Sequence, residues 1–149
     1  MLRQNSVAMF SDIEIEYLKS QRLARLSTVS STGQPDVVPV GFEFDGKYFW
    51  FGTGTQEMFF RTVRYRNVLH GSTKGAVVID DLESVDPWKP RSIKVYGTLE
   101  IVDHDGRTGP GKYLRLTPRV SWSTGIKSSF QGYQAKPGEW RTRTVHDGS

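Results

Sequence analysis

Ser92-Ile93-Lys94-Val95-Tyr96-Gly97-Thr98-Leu99-Glu100-Ile101-Val102 alternates along its length, with Ile93, Val95, Leu99 and Ile101 on one side and Lys94, Tyr96, Thr98 and Glu100 on the other. A period of two marks a strand with one face on a core and one face outside it. The flanking sequence repeats the signal. Upstream, Lys74 to Asp81 holds the apolar run Ala76-Val77-Val78-Ile79; downstream, Leu114, Leu116, Val120 and Trp122 give a last alternating strand.

Towards the N-terminus, Arg22 to Ser30 reads as a first strand, closed by Thr32-Gly33-Gln34-Pro35. Val38, Val40, Phe42 and Phe44 share one face of a second strand. Asp45-Gly46 predicts a tight hairpin turn with positive φ values, leading into an aromatic third strand, Lys47 to Gly52. Pro39 has no amide to give a ladder, which predicts an edge or bulge where something other than a strand approaches. Ser11-Asp12-Ile13-Glu14 has the form of a capping box and opens a helix running to Gln21. About six hairpin-connected strands, with one helix before them and one between, predict a mainly β fold, a small antiparallel barrel.

At 149 residues, 36% hydrophobic and 24% charged, the chain is expected to form one domain with its own core. The absence of cysteine excludes a disulfide scaffold, a thiolate nucleophile, an iron–sulfur cluster and a zinc ribbon. No apolar run reaches the roughly 18 residues that span a bilayer, and Met1 to Phe10 lacks a signal peptide's apolar stretch. A cytoplasmic protein is expected. From Ser123 the sequence turns to Gly, Ser, Lys, Gln and Pro, so the domain is expected over residues 1–126. A flexible tail, poorly ordered or lying along a partner, is expected over residues 127–149.

The net charge of +4 is concentrated in one place. Between Met58 and Ile79 there is no acidic residue, while Arg61, Arg64, Arg66 and Lys74 supply four positive charges. Such a block suits an anionic partner or a solvated helix face. Gly52-Thr53-Gly54 lacks the third glycine of a dinucleotide fingerprint, because Glu57 stands there. His70, His104 and His146 have no ligand spacing, no Gly-rich phosphate loop is present, and no Ser, His and Asp set has a nucleophile-elbow context. Two readings of Arg61 to Asn67 remain open. Thr62 caps a short helix whose free amides, with Arg64, form a phosphate site; or Met58, Thr62, Tyr65 and Leu69 form the core stripe of one longer helix.

Leu23-Ala24-Arg25-Leu26-Ser27-Thr28-Val29, Gly33-Gln34-Pro35 and Val37-Val38-Pro39-Val40-Gly41-Phe42 resemble the opening of the pyridoxamine 5'-phosphate oxidase-like split-barrel family. Asp86-Pro87-Trp88-Lys89-Pro90-Arg91, followed by Ile93-Lys94-Val95-Tyr96-Gly97, is similar to the branch of deazaflavin (coenzyme F420)-dependent enzymes. The resemblance spans Phe10 to Ile126. It implies a six-stranded antiparallel split β-barrel with short flanking helices, forming a homodimer with F420, or alternatively FMN, in clefts between subunits. Family members hold the cofactor phosphate with a Ser/Thr-Arg/Lys-Lys cluster. Thr62 and Arg64 match its first and third positions, while Val63 replaces a basic residue for which Arg61 or Arg66 would compensate. By the same resemblance Val38, Pro39 and Val40 run beside the ring, and Gly52 and Thr53 lie near the ribityl phosphate. Arg91 and Ser92 belong to a stretch that the partner subunit presents to the ring.

The expected activity is hydride transfer between reduced F420 and a small organic acceptor, with the chemistry carried by the cofactor. The rivals are an FMN-dependent flavin oxidoreductase, a non-catalytic cofactor-binding protein, and a nucleic-acid-binding barrel with Tyr48 and Trp50 as stacking platforms; the preferred reading has neither a nucleic-acid nor a membrane partner. Trp88, in a loop between prolines, is taken as a cofactor or substrate contact; Trp122 is read first as core. The two-sided apolar strand Lys47 to Gly52 exposes surface that a dimer would bury.

Overall fold

The computed structural model describes residues 9–130 and 140–146. The capping box forms: the Ser11 hydroxyl accepts from the Glu14 amide and Glu14 Oε1 accepts from the Ser11 amide at 2.9 Å. The helix it opens, α1 (Asp12–Ser20), buries Glu14, Tyr17 and Leu18. There follow β1 (Leu23–Val29), β2 (Pro35–Gly41), β3 (Glu43–Phe44), β4 (Phe49–Phe51), α2 (Gln56–Phe60) and α3 (Val63–Leu69). The chain continues as β5 (Lys74–Ser84), β6 (Lys89–Gly106), β7 (Gly109–Thr124) and β8 (Arg141–Val145).

Every strand pairing is antiparallel, and the sheet runs β2-β1-β5-β6-β7-β4-β3, with β8 also on β7. Its two ends, β2 and β3, are consecutive in the chain and separated only by Phe42. That covalent link makes the sheet curl back on itself, so the fold is the mainly β antiparallel barrel expected, with eight strands among the described residues where six were expected. Leu26, Val77, Ile79, Ile93, Val95, Leu99, Leu114 and Leu116 fill the interior, with Phe42, Phe44, Phe49 and Phe59.

Four details differ from the sequence reading. The second strand breaks at Phe42, and two short helices replace one between β4 and β5. In the β3–β4 turn only Gly46 has positive φ; Asp45 shapes the turn through its side chain, accepting from the Lys47 and Tyr48 amides at 2.8 and 2.7 Å. In β7 the register steps past Arg119, since Gly97 pairs with Pro118 and Tyr96 with Val120. This bulge inverts the alternation, so Ser121 and Ser123 go to the core and Val120 and Trp122 go outside. Trp122 is therefore not a core residue.

The tail expected over residues 127–149 also contains structure, for Arg141–Val145 form β8 on the edge of β7 beyond β4. Residues 131–139 and 147–149 of that stretch lie outside the described residues.

Gly97 lies at the bulge, where an added Cβ would collide with the Thr117 carbonyl oxygen and sit 2.7 Å from Leu116 Cδ2. Backbone cannot yield as a side chain does. Gly97→Ala is expected to destabilise the barrel by about 1–3 kcal/mol, seen as a lower urea midpoint; an unchanged midpoint would refute the close approach.

Candidate functional site

The chain turns between α2 and α3 at Thr62, the N-cap of α3. Its hydroxyl accepts the Tyr65 amide at 3.2 Å and donates to the Phe59 carbonyl at 2.8 Å. One continuous helix would have buried Met58 and Leu69; both are 55% exposed, and Phe59 and Val68 are buried instead. The core-stripe reading thus fails. The phosphate-site reading is modified as well: with its proton committed to Phe59, the Thr62 hydroxyl has no donor left for an anion. The first-turn amides of Val63 and Arg64 have no acceptor inside the helix.

Arg64 points inward. Its Nη2 donates to Thr53 Oγ1 at 2.8 Å, while its Nε is buried with no acceptor. Burial lowers its pKa, opposed by the charge of Asp36 at the start of β2. Among the described residues it makes no ion pair. A partly desolvated cation with no carboxylate in contact is unfavourable unless an anion meets it. Arg61 does not compensate for Val63: it pairs at 3.4 Å with Glu57, both side chains being 77% exposed. Arg66 is exposed too.

Two elements therefore meet at Arg64, the chain leaving β4 through Thr53 and the first turn of α3, with the charge of Asp36 on β2 acting on it through space. Gly52 serves packing, since a Cβ there would lie 2.6 Å from both Thr108 Oγ1 and Tyr113 Cε2. β2 is an edge strand, with β1 on one side only, as the proline predicted. Val40 is buried and Val38 half-buried on its inner face, and Pro39 is exposed on the outer.

Trp88, Arg91 and Ser92 sit elsewhere. Among the described residues no hydrogen bond or ion pair joins them to Thr53, Thr62 or Arg64. Trp88 occupies the β5–β6 turn, 52% exposed. Arg91 is bidentate on Asp81, which also accepts from the Tyr17 hydroxyl at 2.9 Å. The Arg91 hydrogen bonds hold the Asp81 carboxyl below its ordinary value, and burial together with Asp81 pushes the Tyr17 phenol up. Sequence reasoning missed both partners of Arg91, because they come from α1 and β5 and no local spacing announces them. Tyr17 and Arg91 line a cleft of about 410 Å³ with Glu16, Glu83 and Lys127. Ser92 faces outward in a different cleft, with Lys94 and Trp122.

The histidines are dispersed. His104 stacks on Trp50 at 3.7 Å, and His146 meets Ser121 Oγ at 2.8 Å, its pKa lowered by burial against the opposing charge of Glu14. Among the described residues no cluster of His, Asp and Glu could hold a metal ion, and no helix is long and apolar enough to cross a membrane. Trp50 is 7% exposed, so it offers no stacking platform to a nucleic acid.

A curled antiparallel barrel with an edge strand, a capped helix and a half-buried arginine fits a known class. The profile of the pyridoxamine 5'-phosphate oxidase family matches residues 14–123, and the chain belongs to that family. The 5a,11a-dehydrotetracycline/5a,11a-dehydrooxytetracycline reductase of Streptomyces rimosus subsp. rimosus is 33% identical over 129 residues, covering 78% of this chain and 89% of the relative. Among solved structures, a conserved hypothetical protein from Mycobacterium tuberculosis superposes with a TM-score of 0.59 at 19% identity, over 82% of this chain and 89% of that one. A structure named F420 reductase does so with a TM-score of 0.53 at 21% identity, over 71% of this chain and 94% of that one. The two structures share the fold; the reductase relative supports an oxidoreductase of this family.

The Asp81 ion pair has a pH signature. Its carboxyl titrates lower folded than unfolded, where about 3.9 is normal. The unfolded chain therefore binds the proton more readily, and the stabilisation is complete above the unfolded value and lost as pH falls through the folded one. Asp81→Asn is expected to lower the urea midpoint at pH 7 and to flatten its decline below about pH 4. A variant curve parallel to that of the parent protein would disprove the coupling.

Proposed function

We propose that the protein is a reductase that uses coenzyme F420, anchored by its phosphate at Arg64, to reduce a small planar conjugated acceptor. The observation that carries this reading is the buried, unpaired Nε of Arg64, whose Nη2 is already oriented by Thr53. A phosphate supplies the oxygen acceptors and negative charge that this guanidinium lacks. Thr53, Arg64 and the amides of Val63 and Arg64 would hold it, with Thr62 fixing the helix start.

When bound, the deazaflavin supplies hydride transfer to and from the acceptor. The chain's own part is orientation: the edge of β2 at Val38 to Val40 is open to a flat ring, and Pro39 presents no amide to compete for it. The relative's named substrate, a dehydrogenated tetracycline, supports a conjugated ketone as acceptor class. FMN is the alternative cofactor.

We further propose a homodimer, because the outer sheet face leaves Val37 on β2 67% exposed and Tyr96, three strands away on β6, 46% exposed. Light scattering at micromolar concentration should give twice the chain mass; a monomer would exclude a cleft shared between subunits.

Spectral titration with F420 and with FMN tests the cofactor. Saturable binding of F420 with acceptor-dependent oxidation is expected; tight FMN binding alone would transfer the assignment to a flavin enzyme, and binding without turnover would leave a carrier. Arg64→Met should weaken binding about ten- to hundredfold. Because the variant removes an unpaired desolvated charge, its ligand-free melting temperature should be unchanged or higher. A large loss of stability would show that Arg64 is structural.

A further inference from the structure

We propose that Gln56 is a positioning residue for Arg64: its carboxamide completes the edge of β7 where β4 stops, and so holds Thr53 off the sheet with its hydroxyl on the guanidinium. Register shows what the carboxamide replaces. Phe51, the last residue of β4, pairs with Leu114 of β7. Continued in that register, the next antiparallel pairs are Gly52 with Tyr113 and Thr53 with Lys112. β4 ends before either forms.

At Lys112 the Gln56 side chain takes the place of the missing strand. Its Oε1 accepts from the Lys112 amide at 2.7 Å, and its Nε2 donates to the Lys112 carbonyl at 3.1 Å. A carboxamide carries both a donor and an acceptor, so one side chain satisfies both backbone groups of a residue, as a paired strand does. Gly111 makes the approach possible, since a Cβ there would lie 2.6 Å from Gln56 Cδ.

Thr53 is thereby bracketed. Before it, Gly52 is wedged against Thr108 and Tyr113, and the Tyr113 hydroxyl locks that turn by donating to the Gly109 carbonyl at 2.7 Å. After it, Gln56 opens α2 behind the Thr55 cap, whose hydroxyl accepts the Met58 amide at 3.1 Å. Between these two fixed points Thr53 Oγ1 receives Arg64 Nη2 at 2.8 Å. Gln56 touches Lys112 rather than Arg64, so it acts on the arginine through the path of the chain.

The experiment uses the full chain without cofactor and follows the nitrogen NMR resonance and hydrogen exchange of Arg64 Nε. Gln56→Met, similar in length but without the amide, should shift that resonance and speed its exchange. Thr53→Val should do the same, and the double variant should go no further than Thr53→Val alone, because both act on one contact. Should Gln56→Met not fold, Gln56→Ala, a good helix former, takes its place. In titration with F420, Gln56→Met should weaken binding about three- to tenfold. This last effect rests on Arg64 as the phosphate anchor. If Arg64→Met leaves F420 affinity unchanged, the anchor reading falls, and the ligand-free comparison still decides Gln56. An unmoved Arg64 resonance in Gln56→Met, effects of the two substitutions that simply add, or F420 affinity lost in Arg64→Met but kept in Gln56→Met would overturn the proposal.

Discussion

Thr62 uses its hydroxyl twice, taking the Tyr65 amide and giving its proton to Phe59, and that double use sets the rotation of α3. A helix restarted at Thr62 places Arg64, Asn67 and Val68 on one face, since residues three and four apart are neighbours. Asn67 and Val68 are buried, with Asn67 Nδ2 donating to Thr28 Oγ1 at 2.9 Å. Arg64 is therefore turned towards the barrel, half-buried, whatever its charge. Arg66 is excluded from that face by the same rotation and Arg61 ends α2, paired with Glu57, which is why one arginine of the three is partly desolvated and the others are not. Tyr65 is clamped by Phe59 and Phe60, each ring 5.0 Å away, so the helix has little freedom to turn Arg64 out.

How much of this could be read in advance depended on whether a feature is written locally. The alternation in Ser92 to Val102 survives because Gly97 keeps its place on the inner face, and β6 is as the pattern shows it. Leu114, Leu116, Val120 and Trp122 display the same period and mislead, because one unpaired residue, Arg119, shifts everything after it to the other side. A bulge has no signature in polarity: Ser121 and Ser123 are buried opposite Val95 and Ile93 while looking like surface. β8 escaped notice for a related reason. Arg141-Thr142-Arg143-Thr144-Val145 has no apolar period, and its strand state comes from the open edge of β7. At the site, the capping threonine and the candidate arginine were legible, whereas the Thr53 contact and the influence of Asp36 needed the barrel to close.

The aromatic run before the site shows how the chain disposes of apolar excess. Phe49, Trp50 and Phe51 are all buried, although a barrel strand has only one inner face. The outer one is covered by the chain itself: His104 lies parallel to Trp50, and Trp50 Nε1 donates to Asp45 Oδ2 at 2.8 Å. Burial alone would raise the Asp45 carboxyl, yet the Trp50, Tyr48 and Lys47 donors outweigh it and hold the pKa low. The surface expected to require a second subunit at this strand is thus satisfied internally. The argument for a dimer moves to the other side of the barrel, where Val37 and Tyr96 remain exposed.

Charge accounting separates the cations that tie strands together from those that do not. Arg91, Arg25, Arg115 and Lys112 each have a carboxylate partner, and each pair ties strands or turns together. Among the described residues Arg64 makes no ion pair, although Thr53 holds it in a defined position. Arg107 and Arg119 are held in the same manner, by the Phe42 carbonyl and the Thr98 hydroxyl, so an unpaired but positioned cation is not in itself a mark of function. What distinguishes Arg64 from those two is that its Nε is buried with no acceptor, a desolvation cost that the single Thr53 hydrogen bond does not offset.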